Sequence, residues 1–233
     1  MANQVIISGL TGIMPALIWL WFWLHEDRRH PEPRSLLTLT FVLGAIAVIP
    51  AYFIEKELYQ YFPFDLGNTS TLIIGILLWA AIEELLKFGM VYFAAFHDRN
   101  YNEPVDAMVY MITAALGFAA LENSLFIWSA LQDSSAGLAF LLTGNFRFLG
   151  ATLVHVVSSA ALGGLFGLAF YGNKARKLFD FGWGLIIAVA LHAIFNYFII
   201  VSDPSHILKI FLVLWLAVVL IILLFERVKR SFN

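Results

Sequence analysis

Glu83, Glu84, Glu122, His155, His192 and Asn196 are the side chains of this sequence whose types could cooperate in cleaving an acyl bond. Carboxylates and imidazoles move protons near neutral pH, and an imidazole or an amide can donate to a developing oxyanion. Two histidines and a glutamate could also make a three-ligand catalytic zinc site with an open position for water. Spacing groups them further. Glu83 and Lys87 stand four residues apart and share a helix face, as do His192 and Asn196. Glu84 is turned about 100° from Glu83 on a helix, so the two carboxylates point different ways. Ser158 and Ser159 have no aspartate nearby to complete a triad, and with no cysteine in the chain a thiol nucleophile and thiolate metal ligands are excluded.

The elements that must position these groups are membrane spans. The 233 residues are 61% hydrophobic and only 13% charged, with a net charge of −2 and a mean hydropathy of +0.83. A soluble domain carries about 25% charged residues, so too little polar surface is present to cover one. Soluble enzymes, disordered proteins and nucleic-acid binders are excluded, the last because no basic balance exists. Seven stretches reach the roughly 20 apolar residues that a spanning helix needs: Val5–Leu24, Leu36–Ile54, Leu72–Ala95, Val105–Leu131, Arg147–Tyr171, Phe181–Val201 and Ile207–Phe225. The first is too long and aromatic for a signal peptide and lacks a basic leader, so it is expected to be retained. Ser134–Phe146 is expected to be an interfacial or re-entrant piece, because its apolar core is short and runs into Thr143-Gly144-Asn145. The expected fold is all-α: one integral-membrane domain over residues 1–233, a bundle of about seven transmembrane helices.

Basic residues orient the bundle. Arg28, Arg29, Arg34, Arg99, Lys174, Arg176, Lys177, Arg227, Lys229 and Arg230 fall on one side, against Lys56, Arg147 and Lys209 on the other. The expected topology has the N-terminus outside and the C-terminus in the cytoplasm. At 1.5 Å per residue, His155 then lies ~12 Å from the outer end of its span, His192 and Glu122 ~13 Å and Glu83 ~16 Å. Spans of alternating direction thus bring their polar residues to one level. An intramembrane charge costs about 2.5–3.5 kcal/mol on the insertion scale. Glu83, Glu84, Lys87 and Glu122, with two histidines, would together cost on the order of 10 kcal/mol unless they pair or meet water. A single functional site explains such a set. Ser159, Gly163 and Gly167, at four-residue spacing, are expected to let the His155 helix approach its neighbours closely.

Four motifs occur in order on the chain: Asp27-Arg28-Arg29-His30-Pro31-Glu32-Pro33 after the first span, Glu83-Glu84-Leu85-Leu86-Lys87 (EExxK), Phe118 to Asn123 (FxxxEN), and His192 to Asn196 (HxxxN), with His155 between the last two. In this order they resemble the PrsW family of intramembrane proteases, which is related to the CAAX prenyl endopeptidases and their bacterial relatives. The resemblance implies an endopeptidase in the cell membrane of a bacterium or archaeon, cleaving a membrane-anchored protein near the outer leaflet. In the bacterial type case that partner is a single-span anti-sigma factor. It also implies that Glu83 and Glu84 are the paired glutamates and His155 and His192 the essential histidines. Glu122 departs from the CAAX relatives, which carry histidine there, and this removes one nitrogen from any metal site.

The expected mechanism uses no metal and no other cofactor. Glu83 or Glu84 activates water, His192 and Asn196 stabilise the oxyanion, and His155 orients the water or delivers a proton. The alternatives are a zinc-dependent protease using the same residues, a proton or ion transporter built on the Glu/His/Lys chain, and a membrane scaffold without chemistry.

Overall fold

The structure is a computed structural model that describes residues 2–26, 31–132 and 138–230, with the helix path alone over residues 138–149. Asp27 to His30, the start of the first motif, and residues 134–137 lie outside the described residues. Every long element is an α-helix: α1 (Ala2–Glu26), α2 (Arg34–Ile46), α3 (Val48–Tyr59), α4 (Thr69–Ala94), α5 (Asp106–Gln132), α6 (Leu138–Leu168), α7 (Lys174–Val201) and α8 (Ile207–Arg230). Local chemistry marks several starts. The side chains of Asn68 and Asn173 accept from the backbone N–H of Thr71 and Arg176, capping α4 and α7.

Two elements differ from the sequence expectation. The second span is broken into α2 and α3 at Ala47. Pro50 is the cause: it has no N–H to offer the Ile46 carbonyl four residues back, and its ring crowds that carbonyl. The stretch beginning at Leu138, expected to be interfacial or re-entrant, is the first part of α6, which runs unbroken to Leu168. Gly144 and Asn145 do not stop it, since each costs a helix interior no more than about 1 kcal/mol and apolar helix continues on both sides.

Among the described residues, six segments are long and apolar enough to cross a membrane: Gln4–His25, Arg34–Tyr59, Asp106–Gln132, Gly150–Leu168, Lys174–Val201 and Leu208–Arg230. At 26 residues α4 is equally long, and it is set apart by carrying Glu83, Glu84 and Lys87 within its apolar run. α5 forms the centre, continuously buried from Asp106 to Ala120, with α1, α2 and α6 packed around it. The outer faces stay apolar: Leu212 and Leu220 on α8 are each 64% exposed and Ile18 on α1 61%. Apolar surface so extensive does not persist against water, and the chain is a multi-pass integral membrane protein.

Small residues let the central helices touch. Gly44 on α2 faces the backbone carbonyl of Ala114 on α5, and Gly117 on α5 faces that of Phe41 on α2. Gly163 and Gly167 on α6 lie against the carbonyls of Ala107 and Pro104. Helices in lipid associate through such close packing, because apolar burial drives nothing there. Gly117→Val is therefore expected to push α2 off α5 and destabilise the fold by about 1–3 kcal/mol. Gly89→Ala, inside α4 where nothing lies within 4 Å of an added Cβ, is expected to hold or slightly raise the melting temperature in detergent.

Candidate active site

α4, α5, α6 and α7 each bring polar side chains to one point. Glu83, Glu84 and Lys87 come from α4, Glu122 and Asn123 from α5, His155 and Ser159 from α6, and His192 and Asn196 from α7. The helices alternate in direction, so residues at matching depth meet side by side, as the spacing along the sequence predicts.

Lys87 is the hub. Its side chain is fully buried. Its ammonium donates to Glu84 Oε1 at 2.9 Å, to Glu83 Oε2 at 3.3 Å and to His155 Nδ1 at 2.8 Å, and it stands 4.2 Å from the centre of the Phe118 ring. An ammonium has three hydrogens, and each has an acceptor. With Nδ1 of His155 accepting, Nε2 carries the hydrogen and donates to Glu122 Oε2 at 2.8 Å. His192 donates from Nδ1 to Glu84 Oε1 at 3.1 Å, which leaves its Nε2 facing Glu83 Oε2 at 3.8 Å. The two imidazoles meet edge to face with ring centres 4.9 Å apart.

The paired glutamates have different surroundings. Glu84 is wholly buried and holds three hydrogen bonds, taking Lys87 and His192 on Oε1 and the Ser159 hydroxyl on Oε2 at 2.7 Å. Glu83 has the Lys87 ammonium on Oε2, with His155 Nδ1 at 3.5 Å, and it borders a cavity of about 360 Å³. Glu122, His155, His192 and Asn196 line the same cavity, and Glu84 does not. Of the six residues singled out by type and spacing, five share one chamber and the sixth braces it from behind. Glu122, with its side chain 37% exposed, stands at the mouth. Asn123 donates to Thr152 Oγ1 at 3.0 Å, which ties α5 to α6 beside the site.

One residue escaped the sequence reading. Glu55 on α3 is 7% exposed, and its Oε1 has no hydrogen-bond partner. It lies in a small recess bounded by Trp79, which is also a wall of the main cavity. Near the end of an apolar stretch Glu55 reads as a boundary charge. Only the continuation of α3 to Tyr59 carries it inward.

The donor set fits a divalent metal. One atom each from Glu83, His155 and His192 lie within 4.8 Å of one another, and a His₂Glu set with an open position is a catalytic zinc arrangement. Each imidazole also has its other nitrogen on a carboxylate, Glu122 for His155 and Glu84 for His192, the outer contact that orients metal-binding histidines. Against this, Lys87 already engages His155 Nδ1.

Comparison with known proteins identifies a family. Residues 32–224 match a family described as "PrsW family intramembrane metalloprotease". The chain is 29% identical over 226 residues to Protease PrsW of Oceanobacillus iheyensis, covering 94% of each chain. It is 26% identical over 193 residues to Protease PrsW of Geobacillus kaustophilus, covering 82% of this chain and 79% of that one. With Protease PrsW of Bacillus subtilis it shares 29% identity over 116 residues, about half of each chain. No solved structure matches. With the family match running from the Glu32-Pro33 segment through all four site helices into α8, the chain belongs to the PrsW family of intramembrane proteases.

Proposed function

We propose that this peptidase cleaves a membrane-anchored protein within or beside the bilayer, with Glu83 as the base that activates water. The observation that carries this reading is the unequal setting of the glutamate pair. Glu83 borders the cavity beside two imidazoles and Asn196, whereas Glu84 does not line it and is held by three hydrogen bonds. The attacking water donates one hydrogen to Glu83 and the other to His192 Nε2, the two acceptors standing 3.8 Å apart. Its oxygen adds to the carbonyl carbon as Glu83 takes the proton. The Asn196 amide donates to the oxyanion, and Glu83 returns the proton to the leaving nitrogen as the C–N bond breaks. Atoms balance: one water becomes a carboxyl group and an amine.

The remaining groups act as supports. Glu84 holds the His192 ring through Nδ1, so that Nε2 faces the water. His155 has both nitrogens engaged, between Lys87 and Glu122, which suits positioning better than proton delivery. The Lys87 ammonium offsets part of the carboxylate charge. His192 thus takes a water-holding role in place of the oxyanion contact expected from sequence. The substrate class is a single-span protein such as an anti-sigma factor, cut near the outer leaflet if the N-terminus lies outside.

A second reading has its own support. Three carboxylates (Glu83, Glu84, Glu122) against one ammonium (Lys87) leave two formal negative charges in the site, a balance that suits a divalent cation. Glu83, His155 and His192 would hold it, and it would supply Lewis-acid polarisation and an activated water. Lys87 would then have to leave His155 Nδ1.

Two outcomes are expected with purified protein and a single-span substrate. Glu83→Gln lowers kcat by about 10²–10⁴-fold and, because Glu83 also pairs with Lys87, lowers the melting temperature somewhat, whereas Glu84→Gln lowers the melting temperature more and activity less; equal effects on activity and stability contradict the division of labour. Activity also persists in chelator, and metal analysis finds no stoichiometric zinc. Loss on chelation with recovery on zinc addition would install the metal reading instead.

A further inference from the structure

An apolar groove of about 410 Å³ runs between α6, α7 and α8 on the outside of the bundle. Val154 and Phe195 form its inner wall, and the same two residues line the catalytic cavity. A second outer groove, about 350 Å³ between α4 and α7, shares no lining residue with that cavity. Of these two grooves, the α6–α7–α8 one shares wall residues with the chamber that holds Glu83. Phe195 fits into that wall for a reason visible in the backbone. Gly150 on α6 leaves the space that the Phe195 ring fills, and a Cβ there would stand 2.8 Å from its tip and 3.2 Å from Phe211.

We propose that this groove docks the apolar transmembrane segment of the substrate, and that Phe195 is the partition through which the segment reaches Glu83. The inference rests on the proteolytic reading of the site. Along α8 the lining runs from Lys209 to Ala217, about 12 Å, or roughly two turns of a docked helix. The groove is apolar over that length and ends at Ser202, His206 and Lys209. Asp203, on the same turn, accepts the Ser205 backbone N–H at 2.8 Å and lies near enough to His206 to interact with it electrostatically, but it does not line the groove. Lys209 is therefore the formal charge on the lining, beside the Ser202 hydroxyl, and it complements an acidic residue just beyond the substrate's apolar stretch. A helix lying here and unwinding past Phe195 would deliver an extended peptide to the glutamate. Cleavage requires such unwinding, because helical carbonyls are hydrogen-bonded and shielded by side chains.

A photo-reactive phenylalanine analogue at Val213, which is 62% exposed in the groove, tests the docking directly. The protein is the full chain carrying Glu83→Gln, in vesicles with a single-span substrate that has an acidic residue beside its apolar segment. The expected result is an adduct with the substrate from position 213 and none from the same analogue at Ile6, which is 58% exposed on α1. Adducts with lipid alone, or equal yields from both positions, overturn the proposal. In active protein, Lys209→Glu is expected to shift preference by about tenfold in kcat/KM from acid-flanked toward base-flanked substrates; an unchanged ratio also overturns it. Cross-linking needs no turnover. A specific adduct at position 213 with no cleavage by the unmodified chain would refute the protease reading and leave the docking surface standing.

Discussion

A fully buried ammonium governs the architecture. The Lys87 side chain has no exposed surface and cannot reach water, and taking one ion out of water carries a penalty of several kcal/mol. The helix that carries it supplies part of the compensation, through Glu84 one turn back and Glu83 four residues back. The rest must come from other helices. His155 on α6 accepts the third hydrogen, Phe118 on α5 offers its ring face, and His192 on α7 shares Glu84. The burial of this one charge therefore requires α5, α6 and α7 to stand in register around α4, which is the register that a catalytic chamber needs.

Close backbone approach makes that register possible. Gly163 and Gly167 let α6 lie against α5 at the level of Pro104 to Met108, and the Ser159 hydroxyl in the same four-residue series donates to Glu84. One stripe thus supplies both packing and an outer hydrogen bond to the site. The compensation is also asymmetric. Because Glu84 absorbs three hydrogen bonds, Glu83 is left facing the cavity with reach to spare. Adjacent identical residues on one helix acquire different chemistry because their neighbours sit on different helices.

The site was largely legible in the sequence, and for a physical reason. In a membrane span every charge is costly, so Glu83, Glu84, Lys87, Glu122, His155 and His192 stand out against apolar surroundings, and helical rise converts their positions into a common depth. Rotation about the helix axis was less legible. The angle between Glu83 and Glu84 follows from spacing, but which of them meets the cavity depends on where Ser159 and His192 stand. Glu55 was missed because its burial arises from the path of α3 beyond Ile54. Pro50 carried a visible signal for the break at Ala47, hidden because apolar composition continues across it. The start of α6 at Leu138 was misread because a glycine and an asparagine look like a stop, although they cost too little to end a long helix.

If the charges of α4 are one compensated unit, their energies must be strongly coupled. The direct measurement is a double-mutant cycle of thermal unfolding in detergent with Lys87→Met, Glu84→Gln and the pair. Each single change leaves a buried group unpaired, so each is expected to lower stability, whereas the double variant should recover part of the loss and give a coupling energy of about 1–3 kcal/mol. Losses that simply add, with no recovery in the double variant, would contradict the account.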